Sequence, residues 1–171
     1  STSGYQSKPP DNSMLLKRNH LRPGQCLSCD HYVSPVKGRR VDGYGKRTQL
    51  DGYVGGAIYV DHASAKIFHH PQASLSAADT LRGKQIIEQE AHDLGRKIES
   101  YHSDNGIFAQ KEFKDHCEHQ KQKLSFCGVG AHHQNGIAEI NIKTVCNLAR
   151  ANLIHLMLMW PEKCNVNLWT L

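Results

Sequence analysis

No apolar run in this chain of 171 residues approaches the roughly 20 residues that a membrane-spanning helix needs. The N-terminal stretch STSGYQSKPPDNSMLL also lacks the charged-then-apolar order of a secretory signal, so neither membrane insertion nor secretion finds support. The chain has no internal repeat, no low-complexity tract, no G-x-x-x-x-G-K-[ST] loop and no strand-coupled G-x-G-x-x-G. Those absences set the nucleotide-binding folds aside. Cysteine is too sparse for a disulfide scaffold: the six residues at 26, 29, 117, 127, 146 and 164 are scattered, which suits a reducing compartment. Cys26 and Cys29 form a C-x-x-C, but no second close pair completes a zinc site, and ordinary buried thiols are the competing reading.

What is present suits one globular domain. A hydrophobic fraction of 39% and a charged fraction of 22% allow a core to be buried over this length. A formal charge of +5, with twelve His that add to it at lower pH, is compatible with a polyanionic partner such as nucleic acid. The chain begins with Ser and ends at NLWTL, as expected of a piece cut from a longer polyprotein.

Residues 1–23 are polar, carry Pro9, Pro10 and Pro23, and show no sustained periodicity, so they read as a linker or extended arm before a core over 24–171. QCLSCDHYVS alternates as a strand around Leu27 and Cys29, and residues 36–56 read as a Gly-rich basic loop carrying Lys37, Arg39, Arg40, Lys46 and Arg47. AIYVDHASAKIFHH predicts two strands joined by a turn at 62–65. Helical spacing follows from Ser76 to Gly95 through Leu81, Ile86 or Ile87, and Ala91. A strand over 98–103, a short helix over 112–119, a strand over 124–126 and a loop over 128–133 come next. The last helix starts near Asn135 and runs to Met159, with Ile142, Val145, Ala149, Leu153 and Leu156 as its apolar stripe, until Trp160-Pro161 ends it. This order is mixed α/β, with helices available to cover a central sheet.

Two acidic stretches carry chemistry. In YHSDNG, Asp104 ends a strand before a turn-forming Asn-Gly, which is both good turn chemistry and a place where α/β proteins hold catalytic groups. In HHQNGIAEI, Asn135 is placed to cap the helix and Glu139 sits in its first turn, where negative charge suits the helix dipole.

Taken together, CDHYVS, GGAIYVDHAS, YHSDNG and AHHQNGIAE resemble the integrases of copia-type LTR retrotransposons, over about Gly24 to Trp169. The resemblance implies an RNase H-like three-layer fold, with a mixed five-stranded sheet flanked by helices. It also implies an Asp, Asp, Glu triad at Asp30, Asp104 and Glu139, holding two Mg²⁺ or Mn²⁺ ions and performing DNA strand transfer. Three carboxylates suit this, because hard cations take oxygen donors and a pair of them can stabilise both attacking and leaving oxygens of a phosphodiester. Asp61, in YVDHAS, also ends a strand and is the alternative first acid, set second because the resemblance implies a first acid on the first strand, whereas Asp61 falls at the turn between the second and third.

The sequence departs from that family in several places. Ile140 stands where the family often has Arg, and the stretch between Asp104 and Glu139 is one residue shorter than in retroviral relatives. The family's upstream His-His-Cys-Cys module and downstream tail are missing, so a C-terminally truncated core is expected. Lys143 and Arg150 lie on the Glu139 side of the last helix, where they either clamp phosphates or form a solvated basic face. Asn135, Lys46 and Arg47 are further candidates for nucleic-acid contact, and His132 and His133 for DNA or metal. By the resemblance, the partners are element ends, target DNA and further copies of the chain in a homo-multimer. The setting is intracellular: a virus-like particle in the cytoplasm and then the nucleus. Three activities stay open: a strand transferase, a catalytically inactive nucleic-acid-binding module or decayed fragment, and a nuclease using water as nucleophile.

Overall fold

The structure, a computed structural model, describes residues 20–40, 52–128 and 135–170. The arm over 1–19, Lys46 and Arg47 in the basic loop, and His132 and His133 lie outside the described residues. Five strands form one sheet: β1 (Leu27–Gly38), β2 (Tyr53–Asp61), β3 (Ile67–Gln72), β4 (Ser100–Ser103) and β5 (Lys123–Phe126). The helices are α1 (Ala77–Asp93), α2 (Lys111–His119) and α3 (Gly136–Met159), with short 3₁₀ turns at Ile107–Ala109 and Val166–Thr170.

The sheet order is β3-β2-β1-β4-β5. β1, β2 and β3 are antiparallel neighbours, whereas β4 runs parallel to β1, and β5 parallel to β4. Parallel pairs need crossovers, and α1 and α2 supply them. The turn after β2 forms as expected. The Asp61 carboxylate accepts the Ser64 amide at 2.8 Å and its hydroxyl at 2.6 Å, which holds the chain reversal before Ala65 at φ 59. Ser76 caps α1 by accepting the Asp79 amide at 3.2 Å, and Gly95, at φ 69, lets the chain leave the helix.

One correction concerns the basic loop. β1 continues to Gly38 and β2 starts at Tyr53, so the strands take both ends of the 36–56 segment. The extension is held from outside: Trp169 Nε1 donates to the Val36 carbonyl at 2.8 Å, and the Arg39 amide donates to the Asn167 carbonyl at 2.7 Å. Gly38 belongs there because a Cβ would stand 2.3 Å from the Thr170 side chain and 2.8 Å from the Trp169 ring.

Alternation along the strands sorts side chains onto two faces. Leu27, Cys29, Tyr59, Tyr101 and Phe68 join Ile87 and Ala91 of α1 and Phe113 and Cys117 of α2 in the main core. The opposite face of β1 and β2 is covered by α3, whose Ile142, Val145, Ala149 and Leu153 are half-buried as the apolar spacing predicts. Leu156 is exposed instead, because α3 leaves the domain before that point; Ile154, Leu158, Met159 and Trp160 are exposed with it. The α1 stripe holds a second correction. Ile86 is exposed, and the buried positions include Thr80, Gly83 and Lys84.

His31 faces the main core. Its ring stacks on Phe108 at 4.4 Å and pairs with the Thr80 hydroxyl at 3.0 Å. Burial lowers its pKa to about 4, against an opposing pull from Asp104. The folded state therefore holds His31 neutral, while the unfolded chain takes up a proton from about pH 6.5 downward. Stability is full above that value and falls as pH drops toward 4, by on the order of 3 kcal/mol from this group. Urea midpoints measured from pH 7 to 4 check this. His31→Gln is expected to flatten the slope over that window, and an unchanged slope refutes the assignment.

Candidate active site

Asp30 is the fourth residue of β1, and Asp104 directly follows β4. The parallel register pairs Ser28 with His102 and Cys29 with Ser103, so the next step sets Asp30 beside Asp104 on neighbouring strands. Strand spacing is about 4.8 Å, which puts the two side chains within joint reach of one ligand. Alternation turns both away from the main core, to the face where α3 packs.

Local bonds fix each acid. Asp30 Oδ1 accepts the His31 amide at 2.8 Å. Asp104 Oδ1 accepts the Gly106 amide at 3.2 Å, an Asx turn that explains Asp-Asn-Gly at a strand end. The intervening Asn105 reaches sideways, and its Nδ2 donates to the Cys127 carbonyl at 3.2 Å. The Cys127 amide returns a bond to the Ser103 carbonyl at 2.9 Å, so the turn is fastened to the end of β5.

Glu139 lies in the first turn of α3, exposed, one residue after the fully buried Ala138. Asn135 occupies the cap position without capping. Its side chain is 1% exposed, and its Nδ2 crosses to the Cys29 carbonyl at 3.1 Å, next to Asp30. An inward-facing Asn135 is thus a tie between α3 and β1 in this structure, which differs from the expected surface contact with nucleic acid.

Cys127 reports on all three acids. Burial pushes its thiol up, and the charges of Asp104, Asp30 and Glu139 each push the same way. The three acids stand on three elements: Asp30 on β1, Asp104 just past β4 and Glu139 in the first turn of α3. They do not form a closed ligand group: among the described residues no three His, Cys, Asp or Glu side chains are close enough to hold one ion. The donor chemistry still fits a hard divalent cation, because Mg²⁺ is commonly held by one or two carboxylates with water and substrate phosphate completing its shell. Asp30 and Asp104 are two carboxylates on neighbouring stretches of chain, and Glu139 is the third sequence-expected acid, on α3.

Asp61 is elsewhere. It pairs with Leu27, three register steps from Asp30 and on the other face, and it is 2% exposed. Its second carboxylate oxygen accepts the Gly24 amide at 2.9 Å, so its oxygens are committed to holding backbone. Lys143 and Arg150 are exposed on α3, and Arg150 also donates to Asn147 at 3.2 Å. Lys37 and Arg39 are exposed at the end of β1, while Arg40 lies over the Tyr53 ring at 5.9 Å. The sideways bond of Asn105 was not foreseen, since an Asn in such a turn satisfies local propensity whether or not it reaches another strand.

A mixed five-stranded sheet in this order, with α1 and α2 on one face and α3 on the other, is RNase H-like. Solved structures with the same fold include the HTLV-2 integrase catalytic core domain in complex with magnesium. Its dimeric form has a TM-score of 0.55 and 21% identity, covering 88% of this chain and 88% of that one. Its trimeric form gives 0.56 and 21%, covering 88% and 86%. The simian T-cell lymphotropic virus intasome in complex with PP2A regulatory subunit B56 gamma gives 0.57 and 16%, covering 86% of this chain and 46% of that one. No protein-family model and no curated protein matches the chain.

Proposed function

We propose that this chain is the catalytic core of a retrotransposon integrase, which joins DNA 3′ ends to target DNA by divalent-metal-dependent polynucleotidyl transfer. The observation that carries the reading is the placement of Asp30 on β1 and Asp104 just past β4, each one residue beyond the parallel pair Cys29–Ser103, with Glu139 on the helix that packs against β1. The quoted motifs support a copia-type origin, and the shared fold with retroviral integrase cores supports the class of reaction.

When bound, Mg²⁺ or Mn²⁺ would neutralise phosphate charge and lower the cost of the attacking and leaving oxygens. Asp30 and Asp104 supply the carboxylates that would hold it. Exposed Glu139 accepts from the attacking 3′-hydroxyl or water and orients it. Lys143 and Arg150, on the same helix, bind backbone phosphates without reading sequence. One phosphodiester is exchanged for another, so the reaction needs no ATP. The exposed apolar end of α3 suits assembly with further copies, and the integrase neighbours are a dimer, a trimer and an intasome. The setting proposed for this work is a virus-like particle in the cytoplasm and then the nucleus.

A second reading is a catalytically silent nucleic-acid-binding module, which the exposed Lys143 and Arg150 on α3 would suit equally well. One experiment separates the readings. An integrase carrying this core is given blunt DNA with its element's ends, a plasmid target, and Mg²⁺ or Mn²⁺ without ATP. Joined product is expected. Salt-sensitive DNA binding with no product supports the silent module, and cleavage without joining supports a nuclease.

A further inference from the structure

The second and third acids stand where the chain has left regular pairing: Asp104 is in a turn past β4, and Glu139 is on a helix preceded by a loop. Neither element by itself fixes its carboxylate relative to Asp30. Each is accompanied by an asparagine that crosses to another strand. Asn105, adjacent to Asp104, donates through Nδ2 to the Cys127 carbonyl at the end of β5. Asn135, about one helical turn before Glu139, donates through Nδ2 to the Cys29 carbonyl, the residue before Asp30. The Asn135 Oδ1 is buried with no hydrogen-bond partner among the described residues, so this amide is retained although half its bonding capacity goes unused there. Burying such an acceptor costs free energy, and a shorter apolar residue avoids that cost. The bond from Nδ2 to the Cys29 carbonyl offsets that cost at this position.

We propose that Asn105 and Asn135 are positioning residues that tie the backbone beside Asp104 and Glu139 to β5 and β1, so that losing either bond moves that carboxylate relative to Asp30 and weakens the hold on a divalent cation. The inference rests on the metal-dependent reading above. Asn105 ties the second acid to β5, on the outer side of β4. Asn135 ties the third acid to β1, on the inner side. With both bonds in place, the backbone flanking each acid is fixed to a strand; with either absent, the turn or the first helical turn moves as a unit and takes its carboxylate with it. Misplacement of a ligand by even about 1 Å is enough to weaken a site of this kind.

The test uses the melting temperature as a function of Mg²⁺ or Mn²⁺ concentration, since an ion that binds only the folded state raises it. Asn105→Ala, in an exposed turn, is expected to leave the metal-free melting temperature within a few degrees of the parent. The concentration giving half the metal-induced shift should rise about tenfold. Asn135→Ala should lower the metal-free value, because a buried bond is lost, and raise the half-point similarly. Asn135→Ser, which keeps a short donor, should recover part of it. A merely structural role predicts a lower metal-free melting temperature with an unmoved half-point, and that result in both variants overturns the proposal. If the parent chain shows no metal-induced shift at all, the metal-dependent reading fails instead, and the two failures are distinguishable.

Discussion

Asp104→Asn is expected to abolish the proposed strand joining while leaving the fold and DNA binding in place, a loss of roughly a thousandfold or more, equal to about 4 kcal/mol of transition-state stabilisation. The substitution is well suited to the test. Asn keeps the side-chain volume and still offers an oxygen to the Gly106 amide, so the Asx turn at 3.2 Å survives and only the negative charge is removed. Asp30→Asn likewise keeps the acceptor for the His31 amide. Glu139→Gln changes an exposed side chain on a helix whose first turn is anchored by Ala138 and Asn135. All three should fail to join, and combining them should cost little more than any one, because residues that act as a unit lose activity together. Asp61→Asn is the contrasting case. It weakens bonds to Ser64 and Gly24 and should lower stability, with joining retained in whatever fraction stays folded. Joining that survives Asp104→Asn, measured by the appearance of joined plasmid product, removes that residue from the mechanism.

The parts of this molecule that were legible in the sequence are those governed by short-range periodicity. The hairpin turn at 62–65 was readable from polar residues between alternating apolar ones, and α3 from apolar residues three or four apart. The far end of β1 was not readable. Val36 to Gly38 looks like loop chemistry, and it is strand because Asn167 and Trp169, distant in sequence, bond the backbone of Arg39 and Val36. Asn135 was misread for the opposite reason: its local role as a cap is so well matched to the residue type that a cross-link to Cys29 leaves no additional trace. Of the candidate site, the three acids stood out in the sequence by the motifs around them, whereas the adjacency of Asp30 and Asp104 could only come from the parallel register of β1 and β4. Buried Lys84 did leave a signal. It stands at the helical spacing 80, 84, 87, 91 with Thr80, Ile87 and Ala91, but a lysine on that stripe looks like an interruption and not a member.

That lysine carries the largest expected effect on stability. Lys84 is 0% exposed, with its ammonium 2.6 Å from Glu88, 2.7 Å from Gln122 Oε1 and 2.9 Å from His116 Nδ1, and it lies over the rings of Tyr101 and Phe113 at 5.0 and 5.7 Å. Glu88 also accepts the Tyr101 hydroxyl at 2.8 Å. Burial works against its charge, yet the bonds from Lys84 and Gln122 outweigh that and hold its pKa below the ordinary carboxylate value. The cluster joins α1, α2 and β4 around a charge that water does not reach. Removing one partner of such a pair leaves the other charged and under-bonded, which costs about 3–5 kcal/mol. Lys84→Met, which keeps most of the volume, is therefore expected to lower the unfolding free energy measured by urea denaturation by that amount. Adding Glu88→Gln should restore part of the loss, since Gln still accepts from Tyr101 without a stranded charge, and the double-mutant cycle gives the coupling. Tyr101 lies in β4, three residues before Asp104, but the acid's own turn is held by Gly106 and Asn105 on the other face. The folded fraction of Lys84→Met should thus keep the parent's metal half-point. An unfolding free energy within about 0.5 kcal/mol of the parent, the range of ordinary surface changes, would show that the buried charge is not what binds α1 and α2 to the sheet.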